Sequence, residues 1–321
     1  MNFCSYLCRD INFEPSFVQP CCDVYGIKVP RFPFSGGKLD IPAYVAHIKN
    51  VFKHLQTDSD TLCRGCPELQ EVSDVQTSLR VLFQYVSINM HRHLCNCKCA
   101  YCDLWRGKGE GYPILPVLQS LEEQRILAPD CYFSWGGGEP SILRDFEDAS
   151  IWIREHGWLQ YVHTNCLRFS PAIASLLQDG RGGINISLDG GSAAIYQKVK
   201  GIDGFNRVCE NLERYATTTT SIKNIHLKYI IFEMNNSVAE IKNFFSICTK
   251  LGIINIQYSL NFKEMNKRGP SQKTLLVAAF FHVMAEQLGL NCTPLLSRSS
   301  GKQQLMICAG NISRREKQEC V

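Results

Sequence analysis

From Val81 onward this chain alternates short β-rich apolar runs with longer runs of helical spacing, six times over, and few folds accept that order. Strands are expected over residues 81–88, 131–135, 160–163, 184–188, 225–232 and 254–259. Helical periodicity is expected over 113–127, 141–155, 205–215, 238–251 and 274–288, with a further helix opening at Pro171. Gly252 stops the helix before it, as glycine commonly does at a helix end. Alternation of this kind implies a parallel sheet with right-handed crossovers. Six units predict an α/β fold with a partial (βα)6 TIM-like barrel; a doubly wound open sheet shares the same periodicity.

The first 78 residues have a different texture, and seventeen cysteines in the chain make it conspicuous, because ten of them fall in the first 102 positions. Cys4/Cys8, Cys21/Cys22 and Cys63/Cys66 flank a Pro/Gly-containing stretch and an amphipathic helix expected over 42–55. The expected division is a cysteine-rich module at 1–78, a core at 79–265, and a last helix with a polar tail at 266–321. The tail carries loop chemistry at 297–301 and a charged stretch at 314–317.

A net charge of +4 from 34 basic and 30 acidic residues gives no reason to expect a nucleic-acid or membrane partner. No apolar run reaches the roughly 18 residues of a spanning helix. The first residues lack the basic patch and apolar stretch of a secretory signal, so a cytoplasmic location is expected. Reduced thiols follow from that location. The clustered cysteines therefore ask for a metal site, while isolated ones such as Cys209 and Cys248 read as small buried hydrophobes.

Directly after the first strand comes Leu94-Cys95-Asn96-Cys97-Lys98-Cys99-Ala100-Tyr101-Cys102. Thiolates select soft metals or iron–sulfur clusters. A [4Fe–4S] cube normally takes four protein ligands, so a compact group of three leaves one iron free. A structural zinc site drawing on Cys97, Cys99 and Cys102 is the other reading of the loop. The second strand ends in Trp135-Gly136-Gly137-Gly138-Glu139-Pro140, the third in Thr164-Asn165-Cys166, and the fourth in Ser187-Leu188-Asp189-Gly190.

These four motifs, in this order at successive strand ends, resemble the radical S-adenosylmethionine (SAM) enzymes over roughly residues 81–262. The resemblance implies that Cys95, Cys99 and Cys102 hold the cluster, with Cys97 a spectator. It implies that Tyr101, Gly137, Gly138, Glu139, Thr164, Asn165, Ser187 and Asp189 form the SAM pocket. Cys166 stands where relatives have glycine. Lys200 is expected either near the SAM carboxylate or as a solvated helix lysine. Asn236 matches the family's asparagine or is a helix N-cap. His91 and His93 are expected near the cluster or at the surface.

The activity implied is reductive cleavage of SAM to a 5′-deoxyadenosyl radical that abstracts hydrogen from a substrate, with an electron donor such as flavodoxin or ferredoxin. The N-terminal cysteines, Cys63 and Cys66 first among them, resemble the SPASM-type modules that bind auxiliary clusters. An auxiliary [4Fe–4S] site, zinc, and free thiols all remain open for them. Because such modules are frequent among peptide maturases, a peptide or protein substrate is expected. A sugar or other small metabolite is the alternative within the family, and a zinc-stabilised binding protein the alternative outside it.

Overall fold

In the computed structural model, residues 2–21, 28–57, 63, 65–71, 80–109, 111–267 and 269–295 are described. Cys22 and the tail segments at 297–301 and 314–317 lie outside them. The chain divides into two compact units, Met1–Cys95 with Arg106–Val162, and Asn96–Trp105 with His163–Val321.

In the first unit the cysteine-rich segment is built into the sheet. Strand β1 (Asp10–Phe13) continues through a hairpin to β2 (Phe17–Gln19), and β2 pairs antiparallel with β3 (Phe32–Pro33). On its other side β1 runs parallel to β4 (Phe83–Ile88), the first strand of the alternating series. The expected boundary after residue 78 thus falls inside this unit. Successive side chains of a strand face opposite ways. Ile11, Phe13, Val86 and Ile88 are buried on one face, while the paired Asp10/Tyr85 and Asn12/Ser87 line a cavity on the other.

Helix α1 (Ile41–Thr57) lays Tyr44, Ile48 and Leu55 into the core, with the Tyr44 ring 6.2 Å from Phe83. Then follow α2 (Leu115–Glu123), β5 (Leu127–Trp135), α3 (Phe146–Glu155) and β6 (Leu159–Thr164), with β4, β5 and β6 parallel.

The second unit repeats the theme with β7 (Gly182–Ser187), β8 (Ile225–Ile231), β9 (Asn255–Leu260) and β10 (Asn291–Pro294), all parallel neighbours in that order. Its helices are α4 (Pro171–Gln178), α5 (Ala193–Lys200), α6 (Phe205–Thr218), α7 (Val238–Leu251) and α8 (Gln272–Gln287). Serines at 170, 192, 237 and 271 accept a backbone N–H three residues on and start α4, α5, α7 and α8. The strand order runs open, and the α/β class with parallel strands stands as expected.

Several bounds differ from the expected ones. The helix expected to reach 127 ends at Glu123, because β5 begins at Leu127, four residues before the expected strand. The helix expected from 141 splits into a single 3-10 turn, Pro140–Ile142, and α3. The helix α5 and the strand β10 were not anticipated. Among the described residues no helix is long and apolar enough to cross a membrane.

Candidate active site

The cysteine loop is seated by backbone contacts. In the second unit, the Lys98 N–H donates to the Lys200 carbonyl at 2.8 Å and the Ala100 N–H to the Val199 carbonyl at 2.9 Å. Those carbonyls end α5, where a helix leaves its last acceptors unsatisfied. The loop therefore caps the helix. Gly201 ends α5 with φ 68°, and a Cβ there would stand 2.8 Å from the Lys98 carbonyl oxygen. Cys97 is 1% exposed, whereas Cys95, Cys99 and Cys102 are half-buried. The Cys99 thiol is drawn down to about 6 by a hydrogen bond from Cys97 and, against burial, by the charge of Lys200.

Behind the loop lies a buried ion pair. Asp189 Oδ2 accepts from Lys200 Nζ at 2.5 Å and from the Tyr101 hydroxyl at 2.6 Å, and its Oδ1 accepts the Ile230 N–H at 2.7 Å. Lys200 is 1% and Asp189 0% exposed. Burial alone would pull the lysine pKa down, but Asp189, Cys99 and Cys97 together outweigh it and hold Lys200 above the ordinary lysine range. Lys200 is thus neither a solvated lysine nor a free cation. Both Asp189 oxygens accept hydrogen bonds from the protein, so Asp189 and Tyr101 brace the loop from behind.

In the first unit the glycines after β5 seat the other flank of the loop. Gly137 and Gly138 have φ of 65° and 70°, the left-handed region that glycine tolerates best. A Cβ on Gly138 would stand 2.3 Å from the Leu94 carbonyl oxygen and 2.8 Å from that of His91. The Glu139 N–H donates to the same Leu94 carbonyl at 2.8 Å. The Glu139 carboxylate is fully buried and turned back, accepting from the Ser141 N–H at 3.1 Å and its hydroxyl at 2.6 Å. His91 and His93 meet the carbonyls of Tyr112 and Gly109 at 2.8 and 3.0 Å.

At the third strand end, Thr164 Oγ1 accepts the Cys166 N–H at 3.0 Å, and Asn165 Nδ2 donates to Asn96 Oδ1 of the cysteine loop at 2.6 Å. Cys166 has φ 63°, so the cysteine sits in the left-handed region that glycine tolerates best. Ser187 is half-buried at the end of β7, in register with Lys228.

Three supporting residues escaped the sequence reading. Asn211 Nδ2 donates to the carbonyls of Cys166 and Leu167. Asn235 donates to the carbonyls of Asp189 and Ile230 and accepts the Phe232 N–H. Glu240 holds the Gly191 N–H and the Ser192 hydroxyl. Asn211 and Glu240 are helix residues far along the chain from their partners, and Asn235 adds to its local turn contacts a reach back to Asp189, which no local spacing marks. Asn236 donates to Thr274 Oγ1, and Ser237, not Asn236, caps α7.

The N-terminal thiols gather in the first unit. Cys4, Cys21, Cys63 and Cys66 line one cavity of 520 Å³, and Cys8 does not. Cys8 Sγ instead faces the Ser5 carbonyl at 3.4 Å. Burial pushes the Cys63 thiol up to about 11.

Among the described residues no three His, Cys, Asp or Glu side chains form a group that could hold a metal ion. A [4Fe–4S] cube makes a different demand, since each thiolate takes its own iron and the ligands stand apart. Three half-buried thiols within eight residues, on a loop pinned at Leu94, Lys98 and Ala100, match that donor chemistry.

The family described as the Radical SAM superfamily matches residues 90–229. Among solved structures, Streptococcus suis SuiB bound to precursor peptide SuiA is similar at a TM-score of 0.51 and 14% identity, over 66% of this chain and 49% of that one. Native anSMEcpe with bound AdoMet is similar at 0.51 and 18% identity, over 66% and 63%. Native anSMEcpe with AdoMet and the Cp18Cys peptide gives 0.50 and 18%, over 65% and 62%. These likenesses are of fold, and the chain spans about half the length of SuiB and less than two thirds of anSMEcpe. Residues 90–229 match the radical SAM superfamily, whose members use a [4Fe–4S] cluster and SAM.

Proposed function

We propose that this chain is a radical SAM enzyme acting on a peptide substrate, with Cys95, Cys99 and Cys102 as ligands of its catalytic cluster. The observation that carries the reading is the seating of the cysteine loop in the second unit, where the Lys98 and Ala100 N–H groups close on the end of α5 against the bare backbone of Gly201. A backbone tied down in this way fixes the segment that carries Cys99 and Cys102, which is what preorganised ligation requires. When bound, the cluster and SAM supply reductive cleavage to a 5′-deoxyadenosyl radical. The protein's part is to orient and to exclude water. Lys200, Asp189 and Tyr101 brace the loop from behind, Asn165 holds Asn96, and the missing Cβ of Gly138 lets the backbone after β5 come against Leu94. The expected electron donor is a small protein such as flavodoxin or ferredoxin.

The peptide reading draws on SuiB and anSMEcpe, both of which have structures with a peptide bound. After anaerobic reconstitution with iron, sulfide and a reductant, the protein should convert SAM to 5′-deoxyadenosine and methionine. Replacing Cys95, Cys99 and Cys102 by Ala should abolish this, while Cys97→Ala should retain most of it. A Cys97→Ala variant as inactive as the triple variant would show the ligand set to be wrong. For the substrate, a deuterium-labelled cell extract is split into peptide and small-metabolite fractions. Deuterium should enter 5′-deoxyadenosine from the peptide fraction; entry from the metabolite fraction alone overturns the peptide reading.

A further inference from the structure

The sheet of the first unit sorts its side chains sharply. Residues in register on neighbouring strands share a face. On one face Ile11, Phe13, Val18, Val86 and Ile88 are buried and apolar. The other face carries a polar row across four strands, from Ser134 of β5 through Ser87 of β4 and Asn12 of β1 to Gln19 of β2. Parallel strands buried on both faces are normally apolar throughout. These four residues are polar and yet at most 7% exposed. Ser87, Asn12 and Gln19 line the 520 Å³ cavity.

Much of the row is satisfied from within. Asn89 Nδ2 donates to Ser87 Oγ at 2.9 Å, and Asn12 Nδ2 to the Gln19 carbonyl at 3.5 Å. Gln19 Oε1, on a residue 4% exposed, has no hydrogen-bond partner. Buried polar atoms are rarely left so, and an amide oxygen is satisfied only by a donor. The charge of the walls says which kind of donor. Asp10, Glu14 and Glu68 line the cavity, and Arg92 is the only basic residue among its described lining. Arg92 is itself held by Glu14 at 2.7 Å. With three carboxylates facing one guanidinium, the lining favours a cation.

We propose that this cavity binds a cationic N–H group of the substrate, an ammonium or a guanidinium, which donates to Gln19 Oε1 and balances the surplus carboxylates. Gln19 is thereby a specificity-determining residue. The proposal rests on the peptide reading and adds to it that the peptide brings a lysine or arginine side chain to this cavity. It uses none of the chain's cysteines.

Titration calorimetry of the anaerobically reconstituted protein tests it, at pH 8, where Asp10 is ionised. The probes are the capped peptides acetyl-Gly-Lys-Gly-amide and acetyl-Gly-Arg-Gly-amide, the same peptide with norleucine as the uncharged match, and n-butylammonium as a bare side-chain group. At least one cationic peptide should bind about tenfold or more tightly than the norleucine peptide, and the better of the two tells ammonium from guanidinium. Gln19→Leu should weaken that binding about ten- to a hundredfold, as loss of a hydrogen bond to a charged group does. Gln19→Glu keeps an acceptor and adds charge, so it should bind at least as tightly as the wild type. Gln19→Leu should also raise the melting temperature of the free protein, because it removes a buried acceptor without a partner; a glutamine with only a structural role would lower it. Equal affinity for the norleucine and both cationic peptides overturns the proposal, and so does undiminished cation binding in Gln19→Leu. The peptide comparison needs no variant, so it decides even if one fails to fold. Binding of n-butylammonium that depends on Gln19, with neither peptide bound, upholds the cation site and overturns the peptide reading. Deuterium entering from the peptide fraction, with no cationic probe bound, upholds the peptide reading and overturns the cation site.

Discussion

The ion pair of Lys200 and Asp189 shows how much one residue pair decides. Removing one partner of a buried pair leaves an uncompensated charge, which costs about 3–5 kcal/mol. Lys200→Met should therefore lower the melting temperature sharply. Asp189→Asn together with Lys200→Met should recover most of the loss, because the amide oxygen still accepts the Ile230 N–H. A double variant no more stable than Lys200→Met would refute this account, and thermal unfolding of the apoprotein reads it. Asp10 makes the opposite kind of contribution. Burial raises its carboxyl from 3.8 to about 7. A raised carboxyl favours the fold at low pH and opposes it as the pH climbs through that window. Asp10→Asn should match the wild type near the lower end and melt a few degrees higher above it, with the gap opening across the window. A constant gap would mean that Asp10 is charged throughout.

Among elements, the turn after β5 carries the sharpest test. Gly138→Ala puts a Cβ against the Leu94 and His91 carbonyls, whereas Gly157→Ala, with φ 77°, meets nothing within 4 Å. Both substitutions pay the left-handed penalty of about 1–2 kcal/mol. Only Gly138→Ala should also cut the iron bound by the cysteine loop several-fold, as measured after reconstitution; equal iron in the two variants would show that the close approach does not matter. The repeating strands and helices were legible because each has its own apolar period. The start of β5 was not, because Ala128-Pro129-Asp130 reads as a turn. The register skips there, from Phe83↔Leu127 to Tyr85↔Tyr132, so those residues bulge out of the ladder. β10 was missed for another reason. Its residues are polar and only a parallel partner, β9, makes them a strand. In the site, Gly137, Gly138 and Cys99 were singled out by the family resemblance. The inward turn of Glu139, and Lys200 as the partner of Asp189, were not, since both are settled by contacts distant in sequence.

At the scale of the molecule, the cysteine-rich segment is part of the first unit's architecture. Ile11, Phe13, Val18 and Phe34 are at most 1% exposed, and β1 supplies the parallel neighbour of β4. A chain beginning at residue 79 would bare the β4 edge and lose that core. It should aggregate or fail to bind iron, which solubility and iron content would show; a soluble, iron-binding fragment would make the segment a separable module after all.

The seating of the cysteine loop on α5 also sets an order of events during synthesis. Lys98 and Ala100 leave the ribosome about a hundred residues before the Lys200 and Val199 carbonyls that receive them. At ~5–20 residues per second this is an interval of roughly 5–20 s. Throughout it the nascent chain displays Cys95, Cys97, Cys99 and Cys102 with no finished helix to dock on. A cluster held by this loop as proposed would thereby be loaded late, once the second unit's chain has followed.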